Sequence, residues 1–174
     1  MAAQPLDITH PCFRLPPSDI LHQQNKDDIV GKLLFAAKND QLQSMTKEQF
    51  EDTFNLADNP RFQPYYKELK NFIINDKGLL CVKHPLLEVK GAGTRTKIVL
   101  PHWLAEVVAC DVHKTEIHPG AQVLELILAQ HFWWPLMKET VEVTTSHCTL
   151  CKRIKHPKPE THSTLGQTTS QEQP

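Results

Sequence analysis

"SHCTLCKRIK", residues 146–155, is the stretch on which the reading of the second half of this chain turns. It holds Cys148 and Cys151 two residues apart, just before a run of positive charge. Such a pair reads as a redox couple, as half of a metal site, or as coincidence. A thioredoxin-type redox pair follows a strand and sits at a helix N-terminus, whose dipole lowers the thiol pKa. Here the segment ahead, "PLMKETVEVTTSHC" (135–148), has the pattern of a helix opened by Pro135. That context argues against redox chemistry and leaves the metal reading in need of two more ligands.

The nearest suitable partners upstream are His113 and His118, which flank a short loop between two predicted helices. The full arrangement is His-x4-His-x29-Cys-x2-Cys. The spacer is the right length for two short antiparallel helices, which would return the cysteines to the histidines. Zinc takes four Cys or His ligands in a tetrahedron, so the predicted site is His113, His118, Cys148 and Cys151 around one structural Zn2+. The ion would staple a helical hairpin whose own apolar face is too small to stand alone. Two neighbours compete for the assignment. Cys110 forms a Cys-x2-His pair with His113, but one helical turn away and beside Val107 it reads as a buried structural cysteine. His147 adjoins Cys148, and adjacent residues usually cannot both reach one ion. Cys12 and Cys81 lack partners at metal spacing.

Working outward, residues 1–24 carry Pro5, Pro11, Pro16 and Pro17 with little periodicity and read as an irregular tail. Residues 25–100 read as an N-terminal extension of helices and short strands. "KDDIVGKLLFAAK" has acids in its first turn and a stripe of Ile29, Leu33, Ala36 and Ala37. Thr46 with Gln49 three residues on fits a capping box, and "QPYYKELKNFI" reads as a third short helix. Apolar runs on either side of Asn75–Gly78 give a hairpin signal, and "TKIVLP" (96–101) a further strand. Residues 101–156 are helical again. "HWLAEVVACDVH" places Leu104, Val107, Val108 and Asp111 on one face, and "AQVLELILAQHF" places Val123, Leu126, Ile127 and Gln130 in step. Phe132 and at least one of Trp133 and Trp134 are expected in the core. Residues 157–174 have almost nothing to bury and are expected to be disordered. The predicted fold class is therefore mainly α with a small β element: a zinc-stapled helical module preceded by a helix-plus-hairpin extension.

These residues also resemble a known family. His113, His118, Cys148 and Cys151, with "HPG" (118–120), "HFWWPLMKETV" (131–141) and "CTLCKRIK" (148–155), are similar to the HHCC zinc-binding N-terminal domain of integrases. The nearest kinds are those of gypsy-type retrotransposons and foamy-type retroviruses. Trp134-Pro135, Met137-Lys138 and Lys155 match the family's pattern position by position. The similarity is strong over 96–156 and weaker over 26–95, where such integrases often carry a small extension of helices and strands. Leu124 stands where the family often has threonine. The family's catalytic core, with three metal-binding carboxylates, has no counterpart in this sequence, so the chain is expected not to cut or join DNA, because two-metal phosphoryl transfer needs that constellation.

Formal net charge is −1, so contact with a polyanion must come from a local patch. The candidate is Lys152, Arg153, Lys155 and Lys158, a run with no acid in it, which reads either as a solvated linker or as a phosphate-contacting segment. The resemblance implies a domain that grips DNA ends and helps the integrase multimerise. The competing class is a protein-interaction module that keeps the zinc hairpin and has lost DNA binding. A third, a redox protein, would need Cys148 and Cys151 to cycle without metal. The N-terminus "MAAQPLDITHPCFRL" lacks a basic n-region and an apolar h-region, and no apolar run approaches the ~20 residues of a membrane span. An intracellular setting is expected, nuclear by the resemblance, with no membrane and no small-molecule substrate. "KRIKHPK" (152–158) is by itself a weak import signal.

Overall fold

The hairpin signal at Asn75–Gly78 organises the fold. Asn75 Oδ1 accepts the backbone N–H groups of Lys77 and Leu79 at 3.0 and 2.9 Å, and Gly78 takes a positive φ of 77° that a side chain would resist. The turn joins β1 (Phe72–Ile74) to β2 (Leu80–Pro85) with Phe72 opposite Val82. A third strand, β3 (Thr94–Val99), adds antiparallel to β2 with Cys81 opposite Ile98. The computed structural model describes residues 15–55, 62–85 and 94–155 of the chain.

Side chains alternate across the sheet, and both faces are buried. Leu80, Val82 and Val99 face a cluster with α2 (Val30–Lys38), α3 (Lys47–Phe54) and α4 (Gln63–Tyr66). Leu79, Cys81 and Ile98 face the opposite cluster, with Ile20 of α1 (Pro17–Lys26) and the apolar sides of α5 (His102–Thr115), α6 (Ala121–Leu128) and α7 (Met137–His147). The period-two pattern of a strand thus feeds two cores from one sheet. The predicted capping box is present: Thr46 Oγ1 accepts from Gln49 N–H, and Gln49 Oε1 accepts from Thr46 N–H.

A two-residue strand ties the C-terminal helices to this sheet. β4 (Phe132–Trp133) runs parallel to β3, with Ile98 N–H donating to His131 C=O at 2.9 Å and Leu100 N–H to Trp133 C=O at 3.0 Å. Phe132 and Trp134 point into one core, and Trp133 packs edge-on against Tyr65 and Phe72 of the other. Residues on both sides of residue 101 thus share one sheet and contribute to one of its two cores. Trp134 is 2% exposed, and its indole N–H donates to Thr140 Oγ1 at 3.2 Å.

Several sequence expectations are corrected. Residues 17–24 are not part of an irregular tail: they lie in α1, because Pro17 occupies the first turn, where its missing N–H is no loss. Ile20 and Gln24, four apart, then face inward. The helix expected from residue 26 is interrupted, and Asp27 Oδ1 accepts the N–H groups of Ile29 and Val30 to start α2. The segment "QPYYKELKNFI" gives one α turn and a 3-10 turn (Leu69–Asn71) rather than one helix. The buried stripe of α5 is Leu104, Ala105, Val108, Ala109 and Val112, with Val107 and Cys110 exposed. That of α6 is Leu124 and Leu128, with Val123 and Leu126 exposed. Residues 1–14, with Cys12, and 156–174, with the expected disordered tail, lie outside the described residues.

Candidate metal centre

The two histidines are positioned by the way α5 ends. Its last helical residue is Thr115 and its C-cap is Glu116. The chain then turns left-handed at Ile117 and His118, with φ of 58° and 57°, and His118 N–H donates back to His113 C=O at 2.8 Å. This is the six-to-one bond of a Schellman-type ending, in which the third residue from the end and the second beyond the cap come together, usually through an apolar contact. Here those two positions are His113 and His118. Their rings meet edge-on, with centroids 4.7 Å apart and planes at 89°. The His-x4-His spacing is thus the spacing of a helix ending.

The cysteines are positioned by the start of the next helix, α8 (Thr149–Lys155). Cys148 has extended backbone, and its C=O accepts from Lys152 N–H at 3.0 Å, so it stands where an N-cap residue stands. Cys151 is then the third helical residue, whose N–H normally turns toward the capping side chain. The N–H of Cys151 points at Cys148 Sγ. With the Cys151 thiol, the N–H of Leu150 and the charge of Lys114, it holds the Cys148 thiol below its ordinary range against the opposing effect of desolvation. The ligand-competent thiolate is favoured. The helix ahead of the pair is legible in the sequence; the short one behind it is not. No strand precedes the pair, since α7 runs into Cys148.

α7 packs against α5 and α6 and delivers α8 to the end of α5. His113 Nε2 and His118 Nδ1 lie 3.1 Å apart, Cys148 Sγ is 3.2 Å from His118 Nδ1, and Cys151 Sγ is 3.3 Å from His113 Nε2. All four donor atoms fall within 4.8 Å of one another, and no other such group occurs among the described residues. A tetrahedral zinc with bonds of about 2.0–2.1 Å to nitrogen and 2.3 Å to sulfur separates its donors by about 3.3–3.8 Å, so these three separations are within a few tenths of an ångström of the required size. Each of the two nitrogens has a single in-plane lobe yet faces two neighbours, one ring and one sulfur. A hydrogen bond satisfies one neighbour; an ion at the centre satisfies all four at once. The residues fit one structural Zn2+.

Residues 100–157 match the family model for the integrase zinc binding domain. This part of the chain is similar to the integrase-type H2C2 zinc-binding domain. Searches of the curated proteins and of the solved structures found no match.

The competing ligands do not join the quartet of this domain. Cys110 is exposed on α5, contrary to its expected burial, and lines a cleft beside the site. His147 is exposed and bonds Val143 C=O through Nδ1 at 2.9 Å. Cys81 lies in the shared core, where burial, helped by the charge of Asp76, pushes its thiol up to about 12. Of the predicted basic run, Lys152 and Arg153 are exposed on α8, Lys155 is its last residue, and Lys158 lies outside the described residues. Sequence reasoning passed over Lys114, which shares the cleft with Cys148, Thr149 and Leu150. The signal was its place directly after a ligand, His113. No described helix is long and apolar enough to cross a membrane.

Proposed function

We propose that this chain is a non-catalytic nucleic-acid-binding module of integrase type, in which zinc fixes a basic helix for contact with the DNA backbone. The observation that carries the reading is that Cys151 belongs to the first turn of α8, the helix that also bears Lys152, Arg153 and Lys155. The metal that closes the fold therefore also orients the cations. Lys152 and Arg153 have no carboxylate partner among the described residues, so their charge is free for phosphate, and Lys158 extends the run. Four protein ligands fill the tetrahedron of zinc and leave no position to activate water, in keeping with a structural and not a catalytic role. Multimerisation with integrase domains and a nuclear location belong to the same reading.

Anisotropy of a labelled duplex titrated with the zinc-loaded chain at rising salt tests it. Two to four phosphate contacts give a log–log salt dependence of about −2 to −4, and chelation abolishes binding. Absence of binding at low salt removes the proposal. The second reading, a protein-interaction module, is favoured by the near-neutral net charge. It is also favoured by the large apolar side chains the domain leaves exposed, among them Val123, Leu126, Val143 and Ile154. A chain that self-associates or captures a partner while ignoring DNA would support that reading instead.

A further inference from the structure

The helix ending that joins the two histidines contains an anomaly. The first residue beyond the cap of a Schellman-type ending is left-handed and is usually glycine, sometimes asparagine. In this chain it is Ile117, with φ 58°. A β-branched residue at positive φ is a genuine outlier, because Cβ crowds the following carbonyl and shifts the local equilibrium against this conformation by about tenfold. The usual compensation, burial of the side chain, is missing: Ile117 is 87% exposed. His118, the ligand itself, is left-handed next to it with φ 57°. Neither the Ile117 side chain nor local preference holds this turn; what closes it is the edge-on contact of the His113 and His118 rings and the backbone bond from His118 N–H to His113 C=O at 2.8 Å, both formed only when the turn is made.

We infer that the metal holds this turn, and that Ile117 is a positioning residue whose strained backbone sets the zinc affinity of the site below what its four ligands would give. The inference rests on the zinc reading of the quartet. In the metal-free chain only that contact and that bond oppose the strain at Ile117, so it returns more readily to the right-handed or extended basin and carries His118 away from His113. Zinc uptake must reverse this change. The strain is thereby charged against metal binding, and the knuckle is biased toward release. Residues that accept a left-handed backbone remove that charge. Because the Ile117 side chain makes almost no contact, its replacement loses no packing.

The test is competition for zinc between the full chain and a chromophoric chelator, using Ile117→Asn, Ile117→Gly and Ile117→Thr. Ile117→Asn is expected to bind zinc about fivefold more tightly, since asparagine tolerates this region. Ile117→Gly should gain less, because glycine also frees the metal-free chain. Ile117→Thr keeps the β-branch and discards the apolar surface, and should stay within about twofold of the parent. Unchanged or weaker affinity in Ile117→Asn overturns the inference, as does an equal gain in Ile117→Thr. A parent chain that takes up no zinc would instead overturn the metal reading itself, a result separable from either.

Discussion

Gln24 is fully buried and has no role in the metal site, yet it is the polar side chain on which the sheet depends. Its amide nitrogen donates to Leu80 C=O at 2.9 Å and to Val99 C=O at 2.7 Å, while its oxygen accepts from Leu80 N–H at 2.9 Å. α1 thus bridges β2 and β3 at the point where Val99 also pairs with Trp133 of β4. Replacing Gln24 with leucine keeps the volume and removes all three bonds. A buried group left without its partner costs about 1–3 kcal/mol, which for three groups at the middle of that range sums to about 6 kcal/mol. Burial of the new apolar side chain returns about 2 kcal/mol, so Gln24→Leu should destabilise the zinc-loaded chain by about 4 kcal/mol. Urea unfolding followed by circular dichroism measures this as a lower midpoint at unchanged slope. A loss below about 1 kcal/mol would refute the reasoning, because it would mean that the three backbone groups find other partners.

The remaining predictions concern separate features of the chain. Cys81 ionises near 8.5 when unfolded and at about 12 in the fold. Between those values the unfolded chain has lost a proton that the folded chain keeps, so stability falls with rising pH by about 1.4 kcal/mol per unit. Cys81→Ala should therefore lose less stability than the parent between pH 8.5 and 10, by about 2 kcal/mol; parallel curves would contradict the burial assigned to this thiol. Thr46→Ala removes the cap of α3 and should cost about 1 kcal/mol in urea unfolding, with no effect on zinc content. Joint replacement of Lys152 and Arg153 by alanine should reduce the salt dependence of duplex binding by about 2 in log–log slope, whereas an unchanged slope would direct the search for phosphate contacts elsewhere.

The site was legible because its ligand spacings are the spacings of helix ends. His113 and His118 occupy the two positions that a Schellman-type ending brings together, and Cys148 and Cys151 the cap and third residue of a helix start. Such relations are local, so a sequence carries them plainly. The hairpin at Asn75–Gly78 and the Thr46–Gln49 capping box were legible for the same reason. What escaped was non-local or ambiguous. β4 is two residues long and is defined by pairing with β3, more than thirty residues earlier in the chain, so "HFWW" gave no strand pattern of its own. The segment "AQVLELIL" is apolar on nearly all sides, and periodicity alone could not say that Leu124 and Leu128 would be the buried pair. Two consecutive prolines masked α1, although the second is well suited to a first helical turn. The integration of the extension with the zinc domain could not be read from either part alone, because it arises from one sheet buried on both faces.

His113, His118, Cys148 and Cys151 fit one structural zinc, on which the helical packing of residues 102–155 is expected to depend. Metal analysis of the purified chain, with far-ultraviolet circular dichroism before and after chelation, tests it most directly. One zinc per chain is expected, with a loss of helical signal on chelation that stoichiometric zinc restores, and with Cys148→Ser resembling the chelated state. A metal-free chain with full helical content, indifferent to chelator, would contradict it.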